Sequence, residues 1–239
     1  MCIICVSPKG APQPSLETLK TMFTNNPDGA GYMVARNGRV EIHKAFMDYA
    51  DFIRNIEAEH FTDDDAVVYH CRICTQANVP EMTHPFPVTT KTYALKAWDV
   101  YADLGVAHNG IIPLTSNGNK EYSDTALYIR DYISRYVFTK GLSANVLKHI
   151  ETEAGGRLAF LDKYGNTYMT GNWTCENGIY YSNLSYKFKY QTKYTARNFS
   201  LSHDDDYYDY CDDYYDDDCN LFDFYSKYVK KWYNNVKEK

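Results

Sequence analysis

Asn37-Gly38 lies between two strand-like runs, Gly31-Tyr32-Met33-Val34-Ala35 and Val40-Glu41-Ile42. An Asn-Gly pair in that setting predicts a two-residue hairpin of type I′, because both residues tolerate positive φ and the turn matches the twist of its strands. A second hairpin is expected where Arg157–Asp162 and Thr167–Thr170 close through Tyr164-Gly165-Asn166. Hairpins impose antiparallel pairing. With the helices that follow, they point to an α+β fold on largely antiparallel sheets.

The remaining elements follow from local signals. Residues 2–6 are cysteine or β-branched and read as a short buried strand. Ser15 is suited to cap a helix with Leu16, Leu19, Met22 and Phe23 on one face, ended by Asn25-Asn26-Pro27-Asp28-Gly29. Residues 48–60 read as a second helix, and Ala66–Cys71 as another buried strand. After a proline-containing loop from Val79 to Val88, Leu104–His108 is a strand ending at Asn109-Gly110. Ser123 is placed to cap a long helix to about Phe138, and Gly178–Ser182 reads as a late strand.

Beyond about Lys193 the composition turns to Asp and Tyr, which divides the chain into a body, 1–193, and a tail, 194–239. Nine aspartates between His203 and Cys219 account for the sign of the net charge, because without them −6 becomes +3. The tail's self-repulsion and lack of aliphatic residues argue against a packed core, and an aromatic-basic helix is expected near its end. A body near neutrality offers no basic face for nucleic acid.

Seven cysteines cannot all pair within one chain of 239 residues, and they do not form a dense framework. A reducing, cytoplasmic location is the expectation. Met1–Val6 is too short for a leader or anchor, and no run approaches the roughly 20 apolar residues that span a bilayer, so no membrane role is expected.

Two Cys-x-x-Cys pairs, Cys2/Cys5 and Cys71/Cys74, match a tetracysteine zinc site by count. Their fillers, Ile3-Ile4 and Arg72-Ile73, favour strands, where positions i and i+3 face opposite ways. The expectation is therefore no metal and no cofactor. Cys2 has another option, since removal of Met1 makes it the first residue. Its α-amino group, with an ordinary pKa of about 7.7–8.0, then accepts the proton of its own thiol. Against this stands a plain strand cysteine that happens to be second.

Further groups follow in order: His70-Cys71-Arg72-Ile73-Cys74-Thr75, Thr83-His84-Pro85-Phe86, Ala107-His108-Asn109-Gly110 and Ser123-Asp124-Thr125. Together with Cys2 they resemble the class II glutamine amidotransferases, a family of N-terminal-nucleophile hydrolases. Asn26-Pro27-Asp28-Gly29-Ala30-Gly31 is similar to that family's early turn. Gly171-Asn172-Trp173 through Tyr181-Ser182-Asn183 is similar to stand-alone bacterial and phage members. The resemblance covers about residues 2–190. It implies a four-layer αββα sandwich of two largely antiparallel sheets, with glutamine or another γ-glutamyl compound as substrate.

It also implies roles. Cys2 attacks the side-chain amide, and Asn109 with the Gly110 backbone N–H holds the oxyanion. Arg72, helped by the Thr75 hydroxyl, takes the α-carboxylate, and Asp124 takes the α-ammonium. His84 positions the pocket wall; His70 and His108 anchor strand ends. Each position has an ordinary alternative: a salt bridge for Arg72, a first-turn helix acid for Asp124, and a hairpin turn for Asn109-Gly110.

The chain departs from the family at Ile3, where glycine is usual, and at Ile73, where an aromatic residue is usual. Cys74-Thr75-Gln76-Ala77 stands for Ala-Thr-x-Gly, and Ala126 for an acid. These changes bear on the identity of the substrate more than on amide hydrolysis. The segment from Phe86 to Leu104 reads as a long loop carrying a lid or partner contact.

The leading expectation is a glutaminase that passes ammonia to a separate synthase, since 46 tail residues are too few for a synthase domain. An amidohydrolase for another γ-glutamyl compound, a catalytically silent binding module and a zinc site remain as alternatives.

Overall fold

The computed structural model describes residues 2–74, 79–112 and 121–187. These all fall within the first of the two units into which the chain divides, residues 1–191. Thr75 and the acidic tail, 194–239, lie outside the described residues.

The chain is a mixed α+β protein with two antiparallel sheets. The larger contains β1 (Ile3–Ser7), β2 (Ala30–Arg36), β3 (Arg39–Phe46), β4 (Val67–Cys71), β6 (Asp99–Ala102), β10 (Thr174–Glu176) and β11 (Ile179–Tyr181). Its spatial order is β10-β11-β1-β4-β2-β3-β6. The smaller contains β5 (Phe86–Pro87), β7 (Leu104–Asn109), β8 (Arg157–Asp162) and β9 (Thr167–Thr170), in the order β5-β7-β8-β9. Both predicted hairpins form. In the first, Asn37 and Gly38 have φ of 52° and 71°, as a type I′ turn requires.

Residues of β1 and β4 are buried on both faces, which explains their unbroken apolar sequences. Ile3 lies opposite Cys71, and Ile4 opposite His70. Because side chains alternate, Ile3, Cys5, Tyr69 and Cys71 share one face. There they meet Leu19, Met22 and Phe23 of α1 (Leu16–Asn25) and Phe52 and Ile56 of α2 (Tyr49–Glu59). Ile4, Val6 and Val68 point the other way, onto Ala107, Ala159 and Leu161 of the smaller sheet. The outer face of that sheet, through Val106, Leu158 and Phe160, packs on Ala126, Ile129, Val146 and Ile150 of the helical segments. Full burial of such a side chain contributes about 1.5–3 kcal/mol.

Small residues set how closely the sheets approach. A Cβ at Gly105 would lie 2.5 Å from Met33 Sδ.

Three elements differ from the sequence expectations. The segment from Phe86 to Leu104 is not a loop: it holds β5, α3 (Thr92–Lys96) and β6. Main-chain pairing with β7 and β3 supplies the order that no local pattern announces. The helix expected from Ser123 is α4 (Asp124–Tyr128) and α5 (Ser134–Lys140), joined by a wider π-type turn over Ile129–Ile133. An unforeseen helix, α6 (Ala144–Ala154), is capped by Ser143 and buries Val146, Ile150 and Ala154 at helical spacing. No helix among the described residues is long and apolar enough to cross a membrane.

Candidate functional site

Cys2 directly precedes β1, an inner strand, so its position is set by pairing on both sides. Its Sγ lies 3.4 Å from both the backbone N and the backbone O of Ile73. Its carbonyl accepts from Asn183 Nδ2 at 2.7 Å. Burial pushes the Cys2 thiol up, against the Ile73 N–H and the Arg72 charge, which favour the thiolate. The resting group is therefore a thiol, and attack through it requires a base.

The segment after β4 is pinned by the early Asp-Gly turn. Arg72 N–H donates to the Gly29 carbonyl at 2.8 Å, and Asp28 N–H donates to the Arg72 carbonyl at 2.9 Å. Asp28 Oδ2 accepts from Cys74 N–H at 2.8 Å. Gly29 has φ of +113°, and a Cβ there would lie 2.5 Å from Thr83 Cγ2, so the turn needs glycine.

Arg72 is 8% exposed. Its guanidinium donates to the Val79 carbonyl at 3.3 Å, and no carboxylate among the described residues forms an ion pair with it. Lys44, also buried, donates to the Glu81 and Leu95 carbonyls at 2.7 Å and sits 4.0 Å from the centre of the Phe86 ring. Burial holds its ammonium well below the usual lysine range, opposed by Glu81 and reinforced by Arg72. Arg72 is thus a buried cation held by neutral groups, a setting that favours an incoming anion.

His84 is buried beneath this region, 4.4 Å from the His70 ring and edge-on to Phe86 at 4.8 Å. Burial first, and then His70, His108, Arg72 and Lys44, push its pKa well below the ordinary value. A neutral, enclosed ring suits a wall. His70 Nε2 lies 3.2 Å from the His108 carbonyl and joins the two sheets, while His108 Nδ1 lies 3.0 Å from Thr125 Oγ1.

Asn109 ends β7 and pairs there with Arg157 of β8, far along the sequence, so Asn109-Gly110 is not a tight hairpin turn. The Asn109 side chain is buried, with Nδ2 donating to Ser182 Oγ at 2.9 Å and Oδ1 without a partner among the described residues. The exposed Gly110 admits no side chain, since a Cβ would lie 2.8 Å from His108 Nε2. Asp124 opens α4 behind the Ser123 cap. Its Oδ2 accepts from Ile112 N–H at 2.7 Å and its Oδ1 from Thr125 N–H at 2.7 Å, which ties the segment after Gly110 to the helix.

Two chains of contact converge on Cys2. Ile73 connects its thiol to Arg72, and the consecutive residues Ser182 and Asn183 connect its backbone to Asn109. Ser182 Oγ also accepts from Ile4 N–H at 2.8 Å. Asn183 is braced in turn by Ser185, whose N–H and Oγ lie 3.0 and 2.7 Å from its Oδ1. Asp124 is linked less directly, through Ile112 and the His108–Thr125 contact.

Sequence reasoning assigned no role to Ser182 or Asn183. The signal available was a Ser-Asn pair directly after a buried strand.

No disulfide joins any of the five cysteines among the described residues. Cys5 and Cys71 face the core under α1 and α2. No group of three or more His, Cys, Asp or Glu among the described residues is arranged to hold a metal ion. The chain matches no protein-family model and no curated protein, so the site is read from its own residues and their geometry.

Proposed function

We propose that the protein is a glutamine-hydrolysing enzyme of the class II amidotransferase type, working through Cys2 as an N-terminal nucleophile. The observation that carries this reading is the bridge Cys2–Asn183–Ser182–Asn109, which ties the Cys2 backbone to the Asn109 carboxamide across the sheets. The Cys2 thiol meets Ile73, next to Arg72, a buried cation with no ion-paired carboxylate among the described residues. Two antiparallel sheets face to face, with helices on each outer face, further support the αββα arrangement of N-terminal-nucleophile hydrolases.

In this reading Arg72 binds the substrate α-carboxylate, with Thr75 as a second donor, and Asp124 receives the α-ammonium. With Met1 removed, the Cys2 amino group takes the thiol proton, and Sγ attacks the amide carbon. Asn109 and the Gly110 N–H hold the resulting oxyanion. The C–N bond breaks as the amino group returns its proton to the leaving ammonia. Water then cleaves the γ-glutamyl thioester, which regenerates the thiol and releases glutamate. The ammonia serves a separate synthase, and the setting is cytoplasmic.

The test is mass spectrometry of the native protein with and without diazo-oxo-norleucine, paired with an ammonia-release assay. We expect loss of Met1, one adduct on Cys2, and no turnover by Cys2→Ala. Full turnover by Cys2→Ala sinks the reading. Faster cleavage of γ-glutamyl peptides or amides than of glutamine reassigns the same site to another γ-glutamyl substrate.

A further inference from the structure

The hydrogen-bond inventory around Asn109 is unbalanced. A serine hydroxyl has one O–H donor and two acceptor lone pairs, and a carboxamide has two N–H donors and one acceptor oxygen. With Asn109 Nδ2 donating to Ser182 Oγ, that oxygen accepts twice, from Asn109 and from Ile4 N–H at 2.8 Å. The Asn109 side-chain oxygen is then buried without a partner among the described residues. A buried acceptor left unmade costs about 1–3 kcal/mol.

A half-turn of the amide gives the side-chain oxygen a donor and leaves the NH2, with no partner among the described residues, as the group open to an incoming acceptor. Ser182 Oγ accepts from Ile4 N–H, donates its own proton to Asn109 Oδ1, and leaves the Asn109 NH2 on the opposite side. The two orientations share one heavy-atom outline, so the partner inventory decides between them. Ile4 matters here because its N–H is a fixed donor of an inner strand. By filling one lone pair of Ser182, it orients the hydroxyl.

We propose that Ser182 is a positioning residue for the reading given above: its hydroxyl donates to the Asn109 carbonyl and thereby turns the Asn109 N–H groups toward the oxyanion. Asn109 is the group that touches the reacting atoms, and Ser182 acts through it. Because Ser182 adjoins Asn183, which holds the Cys2 carbonyl, one dipeptide aligns both the nucleophile and the oxyanion donor.

Two measurements test this. A neutron structure of the deuterium-exchanged wild-type protein should place the Ser182 deuteron on the Asn109 side and the Asn109 ND2 on the far side. An ND2 directed at Ser182 overturns the proposal, without reference to activity or to the folding of a variant. In kinetics, Ser182→Ala should lower kcat for ammonia release from glutamine by about 10²–10³-fold. KM should stay within about threefold, and iodoacetamide should still alkylate Cys2 at the wild-type rate; Ser182→Thr, which keeps the hydroxyl, should restore kcat to within about tenfold. Wild-type kcat in a folded Ser182→Ala protein overturns the positioning role. Absence of glutaminase activity in the wild type instead overturns the proposed function, and the neutron result then stands alone.

Discussion

Asn183 donates its side-chain amide to the Cys2 carbonyl at 2.7 Å, a contact between residues 181 positions apart. It holds the residue before β1 at the end of an inner strand.

Asn183→Ala should therefore loosen Cys2 more than the body. We expect a loss of about 1 kcal/mol in unfolding free energy. Alkylation of Cys2 by iodoacetamide should rise severalfold, because the thiol leaves the Ile73 backbone more often. Turnover of glutamine should fall. Unchanged alkylation in the variant would show that β1 pairing alone holds Cys2.

Gly110 has no room for a methyl group, since a Cβ would lie 2.8 Å from His108 Nε2 and 3.1 Å from Gly156 Cα. Gly110→Ala should cost about 1–3 kcal/mol in thermal or urea unfolding, as overpacking generally does. It should also abolish ammonia release, because the shift moves the Gly110 N–H. A variant with normal stability and normal kcat would remove Gly110 from the oxyanion site.

Arg72 poses a trade between stability and binding. It is buried with a backbone carbonyl rather than a carboxylate as its partner. Arg72→Met removes a buried charge that no described carboxylate pairs, so the protein should unfold at equal or higher urea concentration. The same change should raise KM for glutamine at least 100-fold, and Arg72→Lys should recover only part of this, because an ammonium lacks the bidentate fork. Wild-type KM in Arg72→Met would assign the α-carboxylate to another group.

The three buried histidines predict acid sensitivity. Burial holds the His70 pKa down at about 3 and the His108 pKa at about 4, and places His84 well below its ordinary value. Above about pH 6.5 these imidazoles are neutral in both the folded and unfolded states and do not shift stability. As pH falls below that, the unfolded chain takes up protons that the folded one refuses, so stability drops. His70 and His108 each cost about 2 kcal/mol by pH 5, and His84 acts in the same direction. Asp65, held low chiefly by its bond to Arg36, loses its contribution only below about pH 4, a separate window. Urea midpoints at pH 7.5, 6 and 5 check this; constant midpoints across that range would show that the histidines are solvated in solution.

Much of the architecture was legible from short-range pattern. Ser15 caps α1 by accepting from Thr18 N–H, and Ser123 caps α4 by accepting from Ala126 N–H. Both hairpins and the strands β1, β4 and β7 fall where apolar, β-branched runs and turn residues put them. Ser143 and the Val146–Ile150–Ala154 stripe carry the same kind of signal for α6. The short strands β5 and β6 carried no such signal, because two to four residues cannot display a period.

At the site, sequence identified the chemical types: a thiol at Cys2, a guanidinium at Arg72 and a carboxamide at Asn109. Their partners were not legible. Ile73, Ser182 and Asn183 reach Cys2 and Asn109 across separations of 71, 73 and 181 positions. Helix and strand periods describe neighbours within a few residues, so by itself the sequence determined the longer elements, their buried faces and the set of reactive groups. Tertiary structure decided that β1 runs between β11 and β4, which brings Ser182 and Asn183 beside Cys2. It also decided that Arg72 is left without a described carboxylate, because burying a charge is governed by what the fold packs around it.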